Sequence, residues 1–586
     1  MKKLAGRKER RIVDFLFIGI FVLGVIFLRL FYITRTTGPF IYADEFGYWS
    51  HAAHMTGHTW AGVMDGVSWY SFGYSFWLAL TFLFSNRMIV MYRIAIILNV
   101  MMSLGIYTLA FAVIRKLAKE QEIITSGFIA FAVTCFPTYI FYSYTTMCET
   151  VLALVVWLLF YELISLEENP KWWKGALSGI TAGYAYMVHN RLLTVVMAVG
   201  VCLILLRFRH KIDWKVIISF VAAILAMLLF YILLKGFLEG MIVENQLFAD
   251  TQVSIVKGKA NTFQNIWRKL VGLFSPDRIK RPFLSLIGQL WQCLSSTYLL
   301  AGIGVVYAVR HLAKHLRQGG SLCIFTFPLL AFGFSMGLTS ITAYGPEMGT
   351  VGRVRIDPAF YGRYNECYFP LLIMMALVLL CDEEIRGTFK VCAGILLLYL
   401  ALSVGMYFRL RGLDGYLNIV SAVSIHIFQW LGEFSVWKCA GMALLGCGVI
   451  VGLCCFRRIG FLGRYAGMMV LSALFSATAL YCMRTAIRGE NDYTMQYAPI
   501  YDYMNKNMEK GEIAYIAVNG KPAYDLQSRL VDKPVAVMWP EDLDTVSEAA
   551  YVVICEEELE KAPVTNYEIC LECEEFVLIR LNGRNE

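Results

Sequence analysis

Apolar runs of about 20 residues, separated by short polar and basic stretches, repeat along the chain from Ile12 to about Tyr481. As helices, such runs can cross a hydrocarbon core of about 30 Å. Taken in order they predict thirteen spans, at 12–32, 88–114, 123–144, 150–166, 175–188, 191–206, 215–235, 288–309, 321–342, 365–381, 387–407, 437–456 and 462–483. The stretch WYSFGYSFWLALTFLFS (69–85) is kept out of that set. It is short, aromatic and rich in Ser and Gly, which suits a helix lying in the interface. Counting it as a crossing would also put the basic loop RKLAKEQE (115–122) on the wrong side. After the last run the texture changes. Helical segments near 497–509 and 522–530 alternate with strand runs at 512–518, 534–538, 551–555 and 576–581, which predicts a small α/β unit with a short, open, partly parallel sheet.

Composition fixes the class. With 58% hydrophobic and 16% charged residues, a chain of 586 residues is an α-helical polytopic membrane protein and not a soluble one. Charge divides it in two. Residues 489–586 hold 20 Asp+Glu against 8 Lys+Arg, a net −12 that leaves +20 for residues 1–488. The acidic segment 489–586 therefore reads as a separate, water-facing domain and 1–488 as the membrane domain.

Orientation follows from Lys and Arg in the short loops. MKKLAGRKERR precedes the first run and no small-residue cleavage site follows it, so a retained signal-anchor with a cytoplasmic N-terminus is expected. The loops RKLAKEQE, EENPKWWK (167–174), RFRHKIDWK (207–215), RHLAKHLR (310–317) and FRRIGFLGR (456–464) then all face the cytoplasm. An odd number of spans puts the C-terminal domain outside, together with the loops 33–87, 236–287, 343–364 and 408–436. No ionisable residue falls near the middle of a predicted span, and Glu149, Arg191 and Arg363 lie at outer ends. A proton-coupled carrier would place carboxylates at mid-depth, so transport recedes behind chemistry at the outer face.

Three stretches carry that chemistry: YADEFGYW in the first outer loop, followed by the interfacial helix; YSYTTMCETVLAL (142–154) at the next outer turn; and GRYNECYFPLL (362–372) before a late span. Together with the topology they resemble the GT-C superfamily of membrane glycosyltransferases, which includes protein O-mannosyltransferases and bacterial aminoarabinose transferases. The resemblance covers about 480 residues. It implies a glycosyltransferase that moves a sugar from a polyprenyl-phosphate donor to a cell-envelope glycan, lipid or protein at the outer face, with inversion at the anomeric carbon. Its expected partners are that donor, the acceptor and the bilayer, and not nucleic acid. A lipid-linked glycan flippase and a non-catalytic assembly scaffold are the alternatives.

The residue types fit such a transfer. An acceptor hydroxyl needs a base as it attacks, and Asp44 takes the position of the family's first-loop Asp, with Glu45 beside it as a second polar or structural group. The other reading of Asp44 is a helix N-cap. Glu149 stands where relatives carry a second acidic residue, and it would equally stabilise the helix that starts there. The departing phosphate calls for fixed positive charge, for which Arg363, Arg191 and the neighbouring Tyr364 are placed, although both arginines could instead snorkel to lipid. Tyr48, His51 and His54 are candidate substrate contacts. His54 and His58 have i, i+4 spacing, but without an HExxH or a carboxylate partner a metal site is not assigned, while a divalent metal with acidic ligands stays compatible with the resemblance. SWYSFGYS lacks the lysine and paired prolines of aminoarabinose transferases; Arg278, with Lys280 and Arg281, could compensate. There is no WWD motif of oligosaccharyltransferases. Cys570 and Cys573 form a lone CxxC without the second pair a zinc site needs.

Overall fold

The computed structural model describes residues 2–40, 43–63, 71–244, 271, 276–342, 347–348, 353–382, 385–430, 432–455, 460–509, 512–518, 520–546 and 549–582. The apolar runs are helical because a chain in lipid must satisfy its backbone N–H and C=O groups internally. In chain order the helices are α1 (Lys2–Leu30), α2 (Ala43–Met55), α3 (Ser75–Phe82), α4 (Met88–Leu117), α5 (Ile123–Thr134), α6 (Pro137–Tyr144), α7 (Glu149–Glu168), α8 (Trp172–Val188), α9 (Leu193–Phe208) and α10 (Trp214–Glu244). They continue with α11 (Pro276–Ser296), α12 (Leu300–Gln318), α13 (Cys323–Thr342), α14 (Phe369–Asp382), α15 (Ile385–Leu410), α16 (Val436–Cys455), α17 (Gly460–Asn507) and α18 (Lys521–Arg529).

The protein is a multi-pass membrane protein, and each of the thirteen expected spans falls on a helix or a bent pair of helices. Among the described residues nine helices are long and apolar enough to cross, and the bent pairs α5–α6 and α11–α12 raise this to eleven. The other two, α8 and α14, have 17 and 14 residues. Within 69–85 the helix α3 has only 8 residues, a rise of about 12 Å, so it cannot cross.

Two breaks shape the end of the bundle where α2 sits. Pro137 opens α6, so Phe136 leaves the helical region (φ −51°, ψ 133°) and the chain bends by 60°. Arg29 of α1, fully buried, donates to the carbonyl of Thr134 at 2.7 Å, which the break frees, and to that of Tyr139 at 3.4 Å. The second break corrects an expectation. The run 288–309 is not one straight helix but a bent pair with a corner of 103°, with Tyr298 and Leu299 at φ 49° and 66°. Its cause is local: the Thr297 hydroxyl donates to Cys293 O (2.7 Å) and accepts from Ala301 N (3.2 Å), ending one helix and starting the next. As a result Gln289 and Gln292 of α11 meet Asn365 and Glu366 (2.8 and 2.6 Å), while α12 runs to the opposite end of the bundle.

Three two-residue strands, β1 (Glu347–Met348), β2 (Val354–Arg355) and β3 (Gly415–Tyr416), form one small sheet, and the C-terminal unit holds β4 (Ala514–Ile516), β5 (Val535–Val537), β6 (Ala550–Cys555), β7 (Tyr567–Cys573) and β8 (Phe576–Leu581) in the order β5-β4-β6-β8-β7. Of these, β5, β4 and β6 pair parallel and the β6–β8 and β7–β8 pairs are antiparallel. Strand β7 is an addition to the predicted set: it is a largely exposed edge with a bulge between Ile569 and Leu571, so its apolar alternation is weak. The helix expected at 497–509 is the end of the 48-residue α17, which carries the chain into this unit without a loop.

Candidate active site

Four charged side chains from distant parts of the chain converge. Asp44 lies in the first turn of α2 and Glu149 opens α7. Arg191 lies in the turn between α8 and α9, and Arg363 in the turn before α14. Arg363 bridges the two carboxylates, with Nη1 2.7 Å from Asp44 Oδ2 and Nε 2.7 Å from Glu149 Oε1. The same Glu149 oxygen accepts from Arg191 Nη2 at 3.1 Å. Burial opposes the charge on Arg363, but Glu149 and Asp44 beside it hold it protonated well above the usual guanidinium range. Exposure is graded: the Glu149 side chain is 7% exposed, both arginines 10% and Asp44 28%, so the network opens at Asp44.

Part of this network is unspent. Arg191 Nε and Nη1 and Glu149 Oε2 are buried without a hydrogen-bond partner among the described residues. Arg191, Glu149, Arg363 and Glu366 line one small cavity with Tyr139 and Tyr142. The Tyr364 ring lies 5.1 Å from the Arg191 guanidinium carbon and holds it from the other side. His189 accepts from Arg191 N through Nδ1 at 3.1 Å, and burial together with the Arg191 charge drops its pKa to about 3. It is therefore a neutral imidazole that fixes the turn and adds no charge.

The structure thus brings Asp44, Glu149, Arg191, Arg363 and Tyr364 together. Glu45 is fully buried and takes part in none of these ion pairs. It accepts from the Thr146 backbone at 2.7 Å and from the Thr146 hydroxyl, which ties α2 to the turn before α7. Neighbouring residues brace the same turn: Trp49 Nε1 donates to Thr146 Oγ1 (2.7 Å) and the Tyr48 hydroxyl to Cys148 Sγ (3.0 Å). Tyr48, His51 and His54 are buried on α2, and none of them takes part in these ion pairs. His58 lies beyond the end of α2, so the helical i, i+4 face with His54 does not exist. Among the described residues no group of three His, Cys, Asp or Glu is placed to hold a metal. The Arg278 side chain lies outside the described residues. A cavity of about 2210 Å³ sits at the opposite end of the bundle and is lined by none of Asp44, Glu149, Arg191 and Arg363.

His189, Gln292 and Glu366 were not singled out from sequence. Glu366 was the more visible, as an acidic residue three positions after Arg363; it accepts from Ser424 and Gln292. Burial raises the pKa of Glu45 to about 7, against hydrogen bonds from Thr146. A carboxyl whose folded pKa lies above its unfolded one contributes stability fully below the unfolded value, and loses it as pH rises through the folded one. Glu45→Gln keeps an oxygen for Thr146 and removes the titration. The variant is expected to gain on wild type between pH 5 and pH 8, by roughly 2–3 kcal/mol, in thermal unfolding in detergent. An equal offset at both pH values would refute this.

No family model matches the chain, and no curated protein proves similar to it. Over nearly its whole length the chain nevertheless has the fold that the GT-C resemblance implies. The particular likeness is to ArnT from Cupriavidus metallidurans. Its apo structure superposes with a TM-score of 0.54 at 13% identity, covering 97% of this chain and 98% of that one. The form bound to undecaprenyl phosphate gives 0.51 at 10% identity, covering 97% and 99%. At such identities the fold is what is shared.

Proposed function

We propose that the protein transfers a sugar from a polyprenyl-phosphate donor to a cell-envelope acceptor at the outer face of the membrane. The observation that carries this reading is the Asp44–Arg363–Glu149–Arg191 chain, which holds a carboxylate at its open end and unspent guanidinium N–H groups at its buried end. The bound undecaprenyl phosphate of the ArnT structure supports the donor class. In the reaction the acceptor oxygen bonds to the anomeric carbon as the bond from that carbon to the phosphate oxygen breaks. The acceptor proton goes to Asp44 and the electron pair leaves with the phosphate. The leaving phosphate gains a negative charge, which the unspent N–H groups of Arg191 and the fixed charge of Arg363 stabilise. Glu149 orients both arginines, and Tyr364 keeps Arg191 in place.

A screen of polyprenyl-phosphate sugars with purified, reconstituted protein tests this reading, with release of free polyprenyl phosphate as readout. Turnover of none of them, in the presence of a range of envelope acceptors, would refute it. Arg191→Ala is expected to weaken binding of undecaprenyl phosphate about 10- to 100-fold, the range for losing hydrogen bonds to a charged group. Unchanged binding would return Arg191 to a snorkelling role. Orientation has its own check: reporter fusions after Asn507 are expected to read extracytoplasmic and fusions after Arg317 cytoplasmic, and the reverse would place the site on the wrong face.

A further inference from the structure

The α/β unit does more than follow α17 out of the bundle, because it is seated on the loop that carries Asp44. Phe46, two residues further along α2, is buried and stacked between two rings. Trp60, from the same loop, lies 5.7 Å away at 12°, and Tyr524, from α18, lies 4.7 Å away at 20°. Polar ties surround this stack. Trp60 Nε1 donates to Val531 O at 3.1 Å and Arg529 Nη1 to Thr37 O at 2.8 Å. Asp532 accepts from Asn86 at 2.7 Å and sits 3.1 Å from His58 Nε2. The loop and the sheet are also in backbone contact, since a Cβ on Gly62 would lie 2.3 Å from Val535 O.

Residues two apart on a helix point about 200° from one another. Phe46 therefore faces the α/β unit while Asp44 faces Arg363, and a contact on one side of the first turn fixes the direction of the other. We propose that the α/β unit positions the base: Tyr524 clamps Phe46 and so holds the first turn of α2 with Asp44 against Arg363. Tyr524 and Phe46 are positioning residues, and the proposal rests on Asp44 being the base.

Two variants of the full-length protein act on the clamp without touching the charged network. Tyr524→Ala removes the ring, and Gly62→Val forces the loop off β5. In proteoliposomes, with the donor that wild type turns over, each is expected to lower kcat about 10- to 100-fold with donor KM within about twofold, as for a misplaced catalytic group. Without any substrate, amide exchange across Ala43–Met55 should accelerate while that across Met88–Leu117 stays as in wild type. Tyr524→Phe, which keeps the ring, should restore both readouts. Unchanged exchange across α2 in both variants would overturn the clamp, as would a raised KM with kcat preserved, which would make the α/β unit a substrate-binding surface. If Asp44→Asn is fully active while Tyr524→Ala still loosens α2, the clamp stands and the base assignment falls.

Discussion

Asp44→Asn is expected to fold, insert and bind polyprenyl phosphate as wild type does, yet to transfer sugar about 10²–10⁴-fold more slowly, the usual contribution of a general base. The structure sharpens this expectation. Asn keeps an oxygen toward Arg363, and Arg363 keeps Glu149, so the charged network survives the change. What disappears is the proton acceptor at the open end. A capping role predicts the opposite outcome, because Asn caps helices about as well as Asp. Release of polyprenyl phosphate, measured beside donor binding and thermal stability, separates the two. Transfer at close to the wild-type rate would make Asp44 structural.

The second large effect concerns Arg363. Its alanine variant takes the cation from Asp44 and leaves Glu149 with Arg191 alone, and breaking a mostly buried pair costs up to about 3–5 kcal/mol. Loss of both stability and turnover is therefore expected. Two companions separate the causes. Arg363→Lys keeps the charge, but a single ammonium cannot reproduce the fork that reaches both carboxylates, so stability should return further than turnover. Adding Asp44→Asn to Arg363→Ala removes the carboxylate that faced the lost cation and should recover part of the stability without recovering transfer. Full donor turnover by Arg363→Ala would show that this arginine plays no part in holding the donor phosphate.

How much of this was legible beforehand differs from element to element. Asp44, Glu149, Arg191 and Arg363 stood out because charges at the ends of apolar runs are few and each needs a reason to be there. Their partners did not stand out. The sequence assigned both arginines to a phosphate, whereas in the fold Arg363 is largely engaged by Asp44 and Glu149, and Arg191 is the one with N–H groups to spare. Glu45 reads from the sequence as a second polar or structural group beside Asp44, and one step along the helix turns it into the core and onto Thr146. The histidines suffered the same fate, since α2 ends before the spacing between His54 and His58 can act.

What the sequence determined by itself is whatever depends on one segment and its solvent. The free energy of placing a run of side chains in hydrocarbon gave the membrane class and the positions of all thirteen apolar segments, and β-propensity with alternation gave four of the five strands of the terminal sheet. Tertiary structure alone decided the corner at Tyr298–Leu299, the seating of the α/β unit on the first loop, and the pairing of four charges into one network. Those features depend on which surfaces meet and which polar groups are left to satisfy one another once water is excluded, and that is settled only when distant segments pack.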